Sequence, residues 1–221
     1  MIVLVTPIQP KAIIFDYGNV LCFPQPREDV EAMAAVFRVP PQRFEEIYWP
    51  YRLPYDKAAL DAVSYWRTVA RDLECPLTEM DMQRLIQLDI RSWAHLDARM
   101  MDWARRLRAG GIRTAILSNM PLELRDWIVQ QSGWLADFDF ATFSCDLGIA
   151  KPDAAIYQHC LSGLGVEASE TLFFDDRQPN VDGARLLGIH AIHFTTPQQT
   201  LAALDGIYRL PALPPSESQR G

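Results

Sequence analysis

The chain of 221 residues is 49% hydrophobic and 22% charged, which fits a globular protein with one sizeable core plus an insertion, or two small domains. A formal net charge of −7 excludes broad nucleic-acid binding, which needs a basic face, yet leaves room for a local cationic pocket around an anionic ligand. Cys22, Cys75, Cys145 and Cys160 show no paired spacing and read as reduced thiols, and residues 1–5 are too short for a signal-peptide core or a membrane span. The expectation is a cytoplasmic protein with no membrane partner.

Residues 1–10 carry a short apolar run broken by Pro7 and Pro10, read as a frayed leader or a minor extra strand. Ala12, Ile13, Ile14 and Phe15 then have the length and composition of a buried strand, which stops on Asp16 before the turn formers Gly18 and Asn19. From residue 23 the pattern is helical only. Val30, Met33, Ala34 and Phe37 share a face, and Pro41 suits the first turn of a helix whose inner side is Phe44, Ile47 and Tyr48. Residues 49–55 read as a loop rich in proline and aromatics. Val63, Trp66, Ala70 and Leu73 stripe a further helix, and Thr78 with Asp81 has capping-box spacing before another that runs to about residue 88. No convincing strand falls between residues 27 and 93.

From residue 96 helices alternate with short apolar strands, which predicts a parallel sheet covered on both faces. A helix striped by Met100, Ala104 and Leu107 ends at Gly110 and Gly111, and the strand 113–117 ends on Ser118 and Asn119. A helix over 121–131, a strand over 138–143 and a loop over 144–151 follow. Then come a helix over 152–164, a strand over 171–174 that ends on Asp175 and Asp176, a helix over 181–187 and a last strand over 191–194. The fold class is therefore α/β: a doubly wound, Rossmann-like parallel sheet with an all-helical insertion after its first strand. Residues 1–22 and 94–210 form the core, 23–93 the insertion, and the Pro- and Ser-rich stretch 211–221 reads as disordered.

Four strand ends thus carry polar residues to one edge of the sheet: Asp16, Ser118 with Asn119, the loop to Lys151, and Asp175 with Asp176. Ligands of open α/β sheets bind at that edge. Each group alone has a plain structural reading as a cap or a surface charge. Paired acids after a buried strand are rarer, because crowded carboxylates need a cation or a lysine beside them.

Four stretches, Ile-Ile-Phe-Asp-Tyr-Gly-Asn-Val-Leu, Ile-Leu-Ser-Asn, Leu-Gly-Ile-Ala-Lys-Pro-Asp and Phe-Phe-Asp-Asp-Arg-Gln-Pro-Asn, resemble in order the four motifs of the haloacid dehalogenase superfamily. The insertion is similar in position and length to that superfamily's helical cap. The resemblance implies that Asp16 is a nucleophile that forms an aspartyl-phosphate. It implies Mg²⁺ held by Asp16, Asp176 and the carbonyl of Gly18, with Asp175 as a direct or indirect partner. It further implies that Ser118 and the backbone of Asn119 hold phosphoryl oxygens, and that Lys151 neutralises nucleophile and phosphate. Asn180 has two readings, orienting the acids or capping the helix at Val181.

One residue departs from the pattern. Most phosphatases of this superfamily carry a second Asp two residues after the nucleophile, as acid and base; here that position is Gly18. General acid–base help is commonly worth about 10²–10⁴-fold. Three outcomes stay open: a substrate with a good leaving group, such as an anomeric sugar phosphate or an acyl phosphate, an acid supplied by the cap with Asp56 and Tyr51 as candidates, or a protein that binds without hydrolysing. In the aromatic loop, Arg52 is expected at the substrate and Trp49 in packing. His95, His159, His190 and His193 show no ligand spacing. The expected activity is a Mg²⁺-dependent phosphatase for a small phosphorylated metabolite, as monomer or homodimer. A 2-haloacid dehalogenase is the alternative from the same motifs, and the pair Asp175 and Asp176 argues against it.

Overall fold

The computed structural model describes residues 8–131 and 133–215. Five parallel strands form its centre: β1 (Ala12–Phe15), β2 (Arg113–Ser118), β3 (Phe140–Phe143), β4 (Thr171–Asp175) and β5 (His190–His193), in the order β3-β2-β1-β4-β5. The chain winds outward from β1 on one side through β2 and β3, then returns to lay β4 and β5 on the other. The order reverses between β1 and β4, so a crevice opens where Asp16 and Asp175 end their strands. Register aligns Phe15 with Ile116 on one side and with Phe174 on the other.

Because strand side chains alternate, each strand feeds both faces of the sheet. Ile13, Phe15, Ile116 and Phe174 pack with Trp103 and Leu107 of α6 (Ala98–Ala109) and Ile128 of α7 (Leu122–Gln131). Ala12, Ile14, Ala115 and Phe173 pack with Tyr157 and Cys160 of α9 (Ala154–Leu164) and Val181 of α10 (Gln178–Leu186). Both faces are covered, which is why β1 and β4 are apolar without polar alternation.

Between β1 and α6 the chain forms α1 (Arg27–Val36), α2 (Pro41–Tyr48), α3 (Arg52–Asp56), α4 (Ala62–Asp72) and α5 (Glu79–Ser92). Their inner faces make a separate apolar cluster around Phe37, Phe44, Tyr65, Trp66 and Leu85. Thr78 caps α5 with the reciprocal Asp81 bond that the spacing predicts. Several bonds tie this layer to the sheet side near the crevice, among them Tyr17 Oη to Trp93 O at 2.7 Å. The Tyr55 hydroxyl donates to Glu123 Oε2 at 2.9 Å, and Ser144 Oγ, at the start of α8 (Ser144–Leu147), donates to the backbone carbonyl of Asp56.

Several boundaries differ from expectation. Residues 52–56 are helical rather than loop, and β3 starts at Phe140 because Gly133–Asp137 is a 3₁₀ helix. A helix unseen in the sequence pattern, α11 (Pro197–Leu204), follows β5. Of the stretch expected to be disordered, 211–215 lies against the core: Trp103 Nε1 donates to Pro211 O at 2.8 Å and Arg99 Nε to Pro214 O at 3.0 Å. Residues 216–221 lie outside the described part, as do residues 1–7 of the leader. Ile8 makes a single parallel bridge to Tyr208. Among the described residues no helix is long and apolar enough to cross a membrane.

Candidate active site

Lys151 lies at the centre of the crevice, almost fully buried. Its Nζ is 2.9 Å from Asp16 Oδ1 and 2.6 Å from Asp175 Oδ2, and it also donates to Leu117 O at 2.8 Å. Burial alone would lower its proton affinity; the two carboxylates outweigh burial and hold it above the usual lysine value, so it stays charged. Asp16 moves the other way from an ordinary acid. Burial raises its carboxyl to about 7, Lys151 opposes the rise, and Asp175 and Asp176 add to it. Three negative groups thus crowd one ammonium.

Asp175 and Asp176 divide their roles. Asp175 is fully buried and saturated: Oδ1 accepts from the Arg177 amide at 2.8 Å and from Asn180 Nδ2 at 3.0 Å, while Oδ2 accepts from Lys151 and from Asn180 at 3.1 Å. Asp176 is half-buried, and Asn19 Nδ2 donates to its Oδ2 at 2.8 Å. Burial pushes its carboxyl above the usual range, against the Asn19 bond. Asn180 lies inside α10 rather than capping it, and its side chain orients Asp175. Of its two readings, the orienting one matches the structure.

One carboxylate oxygen from each of Asp16, Asp175 and Asp176 lies within 4.8 Å of the others. An all-oxygen, anionic donor set of this size suits a hard dication, so the residues fit Mg²⁺. Gly18 lines the same crevice. Ser118 and Asn119 do too; the Asn119 side chain accepts from Lys151 N at 2.9 Å and donates to Lys151 O at 3.0 Å, locking the β2 end to the lysine loop.

The crevice continues into a cleft of about 470 Å³ between sheet edge and insertion, which contributes Trp49, Arg52, Leu53, Asp56 and Trp93 to its walls. Both residues of the aromatic loop singled out in the sequence line this cleft. Trp49, expected in packing, is 46% exposed and meets Trp93 edge-to-face. Arg52, expected at the substrate, reaches the wall with its guanidinium already committed. Its Nε is 2.8 Å from Asp56 Oδ1, and its Nη1 is 2.7 Å from both Asp89 Oδ2 and the Tyr48 hydroxyl. Sequence spacing could have shown the i,i+4 pair with Asp56, but only once 52–56 was recognised as a helix. Tyr51 is not part of the cleft; its hydroxyl donates to Asp72. Trp93, which sequence reasoning left unassigned, lies against Gly18.

A family model described as haloacid dehalogenase-like hydrolase matches residues 10–188. A phosphatase of Mycobacterium tuberculosis is 30% identical over 211 residues, 90% of this chain and 92% of that one. The mouse acyl-CoA dehydrogenase family member 10 is 33% identical over 116 residues, 48% of this chain, and the match spans 10% of the mouse protein's length. Among solved structures, an HAD family enzyme of Bacteroides thetaiotaomicron in complex with magnesium and inorganic phosphate superposes with a TM-score of 0.70 at 19% identity, covering 85% of this chain and 96% of that one. A dehalogenase of Xanthobacter autotrophicus shares the fold as well.

Proposed function

The chain belongs to the haloacid dehalogenase-like hydrolase family, and from that premise we propose that it is a Mg²⁺-dependent phosphatase that hydrolyses a small phosphorylated metabolite through an aspartyl-phosphate at Asp16. The observation that carries the reading is the acid cluster around one buried ammonium. Asp16, Asp175 and Asp176 bring up to three negative charges against the single charge of Lys151. Such a site is short of positive charge until a dication enters, and a phosphate dianion needs that charge too.

Each residue then has a task. Asp16 attacks phosphorus, and its P–O bond forms as the bond to the leaving oxygen breaks. Lys151 holds Asp16 in place and offsets charge on the phosphoryl group. Ser118 and the amide of Asn119, which line the same cleft, would donate to phosphoryl oxygens. Asp176, whose other oxygen takes no hydrogen bond from the described residues, would hold the metal directly, together with Asp16 and the Gly18 carbonyl. Asp175, saturated by Lys151, Asn180 and the Arg177 amide, fixes the lysine. When bound there, Mg²⁺ screens nucleophile and phosphate from each other and polarises the phosphoryl oxygens. The organic part of the substrate lies along Trp49, Leu53 and Trp93, which offer flat and apolar surface rather than a free cation.

A dehalogenase reading, with Asp16 attacking carbon, shares fold and nucleophile. It gives no use to the half-buried carboxylate of Asp176, because a 2-haloacid arrives with one negative charge and needs no metal. The four free cysteines, three of them buried, support a reducing cytoplasmic setting. The test is turnover of p-nitrophenyl phosphate with and without Mg²⁺, in the wild type and Asp16→Asn. Metal-dependent turnover that vanishes in the variant supports the proposal; no turnover across a broad panel of phosphate esters favours a binding protein instead.

A further inference from the structure

The core side of the site has no proton donor where one is expected, since Gly18 carries no side chain. We propose that Asp56, delivered by the helical insertion, is the acid–base residue of this site. The inference rests on the phosphatase reading above and goes beyond it by naming the group that moves the proton.

Elimination points to Asp56 first. The titratable residues that line the cleft are Asp16, Tyr17, Arg52, Asp56, Lys151, Asp176 and Arg177. Asp16 is the nucleophile. Lys151 is locked between two carboxylates, and Asp176 belongs to the acid cluster. The Tyr17 hydroxyl donates to Trp93 O at 2.7 Å, and burial drives its proton affinity far above the physiological range. Arginines do not release protons under these conditions. Asp56 remains.

Its placement is fixed by bonds that cross from the insertion to the sheet side, through a Ser144 hydroxyl that also accepts from the Met120 amide at 3.0 Å. Ser144 Oγ, from the sheet side, donates to the Asp56 backbone carbonyl, and the neighbouring Tyr55 is tied to Glu123. The insertion therefore holds residue 56 against the core rather than merely near it. Arg52 Nε fixes Asp56 Oδ1 at 2.8 Å; the second oxygen accepts no hydrogen bond from the described residues and is left for a ligand. The charged and titratable groups around it are Arg52 and Asp89 from the insertion, Arg177 from the loop after β4, and the Tyr65 hydroxyl. Burial raises the Asp56 carboxyl to about 7, with Arg52 opposing and Asp89 adding. A group balanced near neutrality can give a proton in one step and take one in the next.

The two steps balance. Asp16 attacks phosphorus, the bond from phosphorus to the leaving oxygen breaks, and that oxygen takes the proton of Asp56. This yields the free alcohol, the aspartyl-phosphate and an Asp56 carboxylate. Water then attacks the aspartyl-phosphate at phosphorus and passes its proton to Asp56. The bond to Asp16 breaks, releasing inorganic phosphate and restoring both residues.

The experiment compares p-nitrophenyl phosphate, whose leaving group departs unaided, with benzyl phosphate, whose alkoxide needs a proton. Asp56→Asn keeps the size and the contact with Arg52. We expect it to lower turnover of benzyl phosphate by about 10²–10⁴-fold. With p-nitrophenyl phosphate it should release a first burst equal to the enzyme concentration at near wild-type speed, followed by slow steady state as phosphorylated Asp16 waits for a base. Ser144→Ala frees the Asp56 carbonyl and the Met120 amide together without touching the Asp56 carboxyl; a disturbed strand end should slow both substrates alike, so the reading is a loss on benzyl phosphate larger than the loss on p-nitrophenyl phosphate. That second variant decides the matter if Asp56→Asn does not fold. Equal proportional losses on the two substrates in a folded variant, or none, overturn the inference. A wild type that turns over neither substrate overturns the phosphatase reading and this inference together.

Discussion

Trp93 occupies the side of the site that Gly18 leaves bare: a β-carbon built on residue 18 would meet the indole Cζ3 at 3.3 Å. The glycine is therefore one half of a contact, and not simply a missing carboxylate. Gly18→Asp should need the indole to give way, at about 1–3 kcal/mol. If Asp56 already serves as acid and base, the variant should show an unchanged or lower rate on benzyl phosphate, together with a lower urea midpoint. A clear rise in that rate would mean that the proton donor was the limiting part after all.

Lys151 compensates two buried carboxylates, and no other cation reaches Asp175 among the described residues. Lys151→Met should cost about 3–5 kcal/mol, because it leaves charge buried without a partner. Urea unfolding at pH 8 measures the loss. A loss below about 1 kcal/mol, the size of an exposed ion pair, would show that the ammonium does not hold the site together.

Arg52 lines the cleft with its guanidinium already bonded within the insertion. Its guanidinium bonds Asp56, Asp89 and Tyr48 and stacks on the rings of Tyr48 and Tyr55, both 5.2 Å away. Arg52→Lys cannot reproduce that fork. It should destabilise the fold by about 1.5–3 kcal/mol while leaving KM for p-nitrophenyl phosphate within a few-fold. A large rise in KM at unchanged stability would return Arg52 to the substrate.

Asp56 should make stability fall with pH. Its carboxyl titrates from an ordinary 3.8 in the unfolded chain to about 7 in the fold. The folded state therefore binds the proton more tightly. The stabilisation is complete below about pH 4 and is lost as pH rises through about 7. Asp56→Asn does not titrate, so its stability relative to wild type should improve between those values by up to about 1.4 kcal/mol per pH unit. Urea midpoints of both proteins at pH 5 and pH 7.5 test this, and a difference that does not change with pH contradicts it.

Much of this was legible in the sequence because it is local. The buried run at residues 12–15 ends on Asp16 in β1, and Asp175 and Asp176 close β4 as the apolar spacing implies. Thr78 and Asp81 cap α5 as predicted. What the sequence hid depends on contacts distant in the chain. Arg52 is aimed by Asp89, 37 positions away, and Asp56 is pinned by Ser144, 88 positions away. No periodicity records such partners. The stretch 211–215 read as disordered from its prolines, yet those residues offer carbonyls that Trp103 and Arg99 use. Helix 52–56 escaped notice because Pro50 and Pro54 read as breakers, although Pro54 falls within the first turn, where a proline is tolerated.

The central claim is that Asp16 becomes covalently phosphorylated in a step that needs a dication held beside Asp16 and Asp176. Acid quench of Asp56→Asn during turnover of p-nitrophenyl phosphate, followed by peptide mass mapping, addresses it most directly. The account predicts phosphate on the peptide that contains Asp16, dependent on Mg²⁺ and absent when Asp16→Asn is added. Turnover without any modified peptide, or phosphate mapped to another residue, would contradict it.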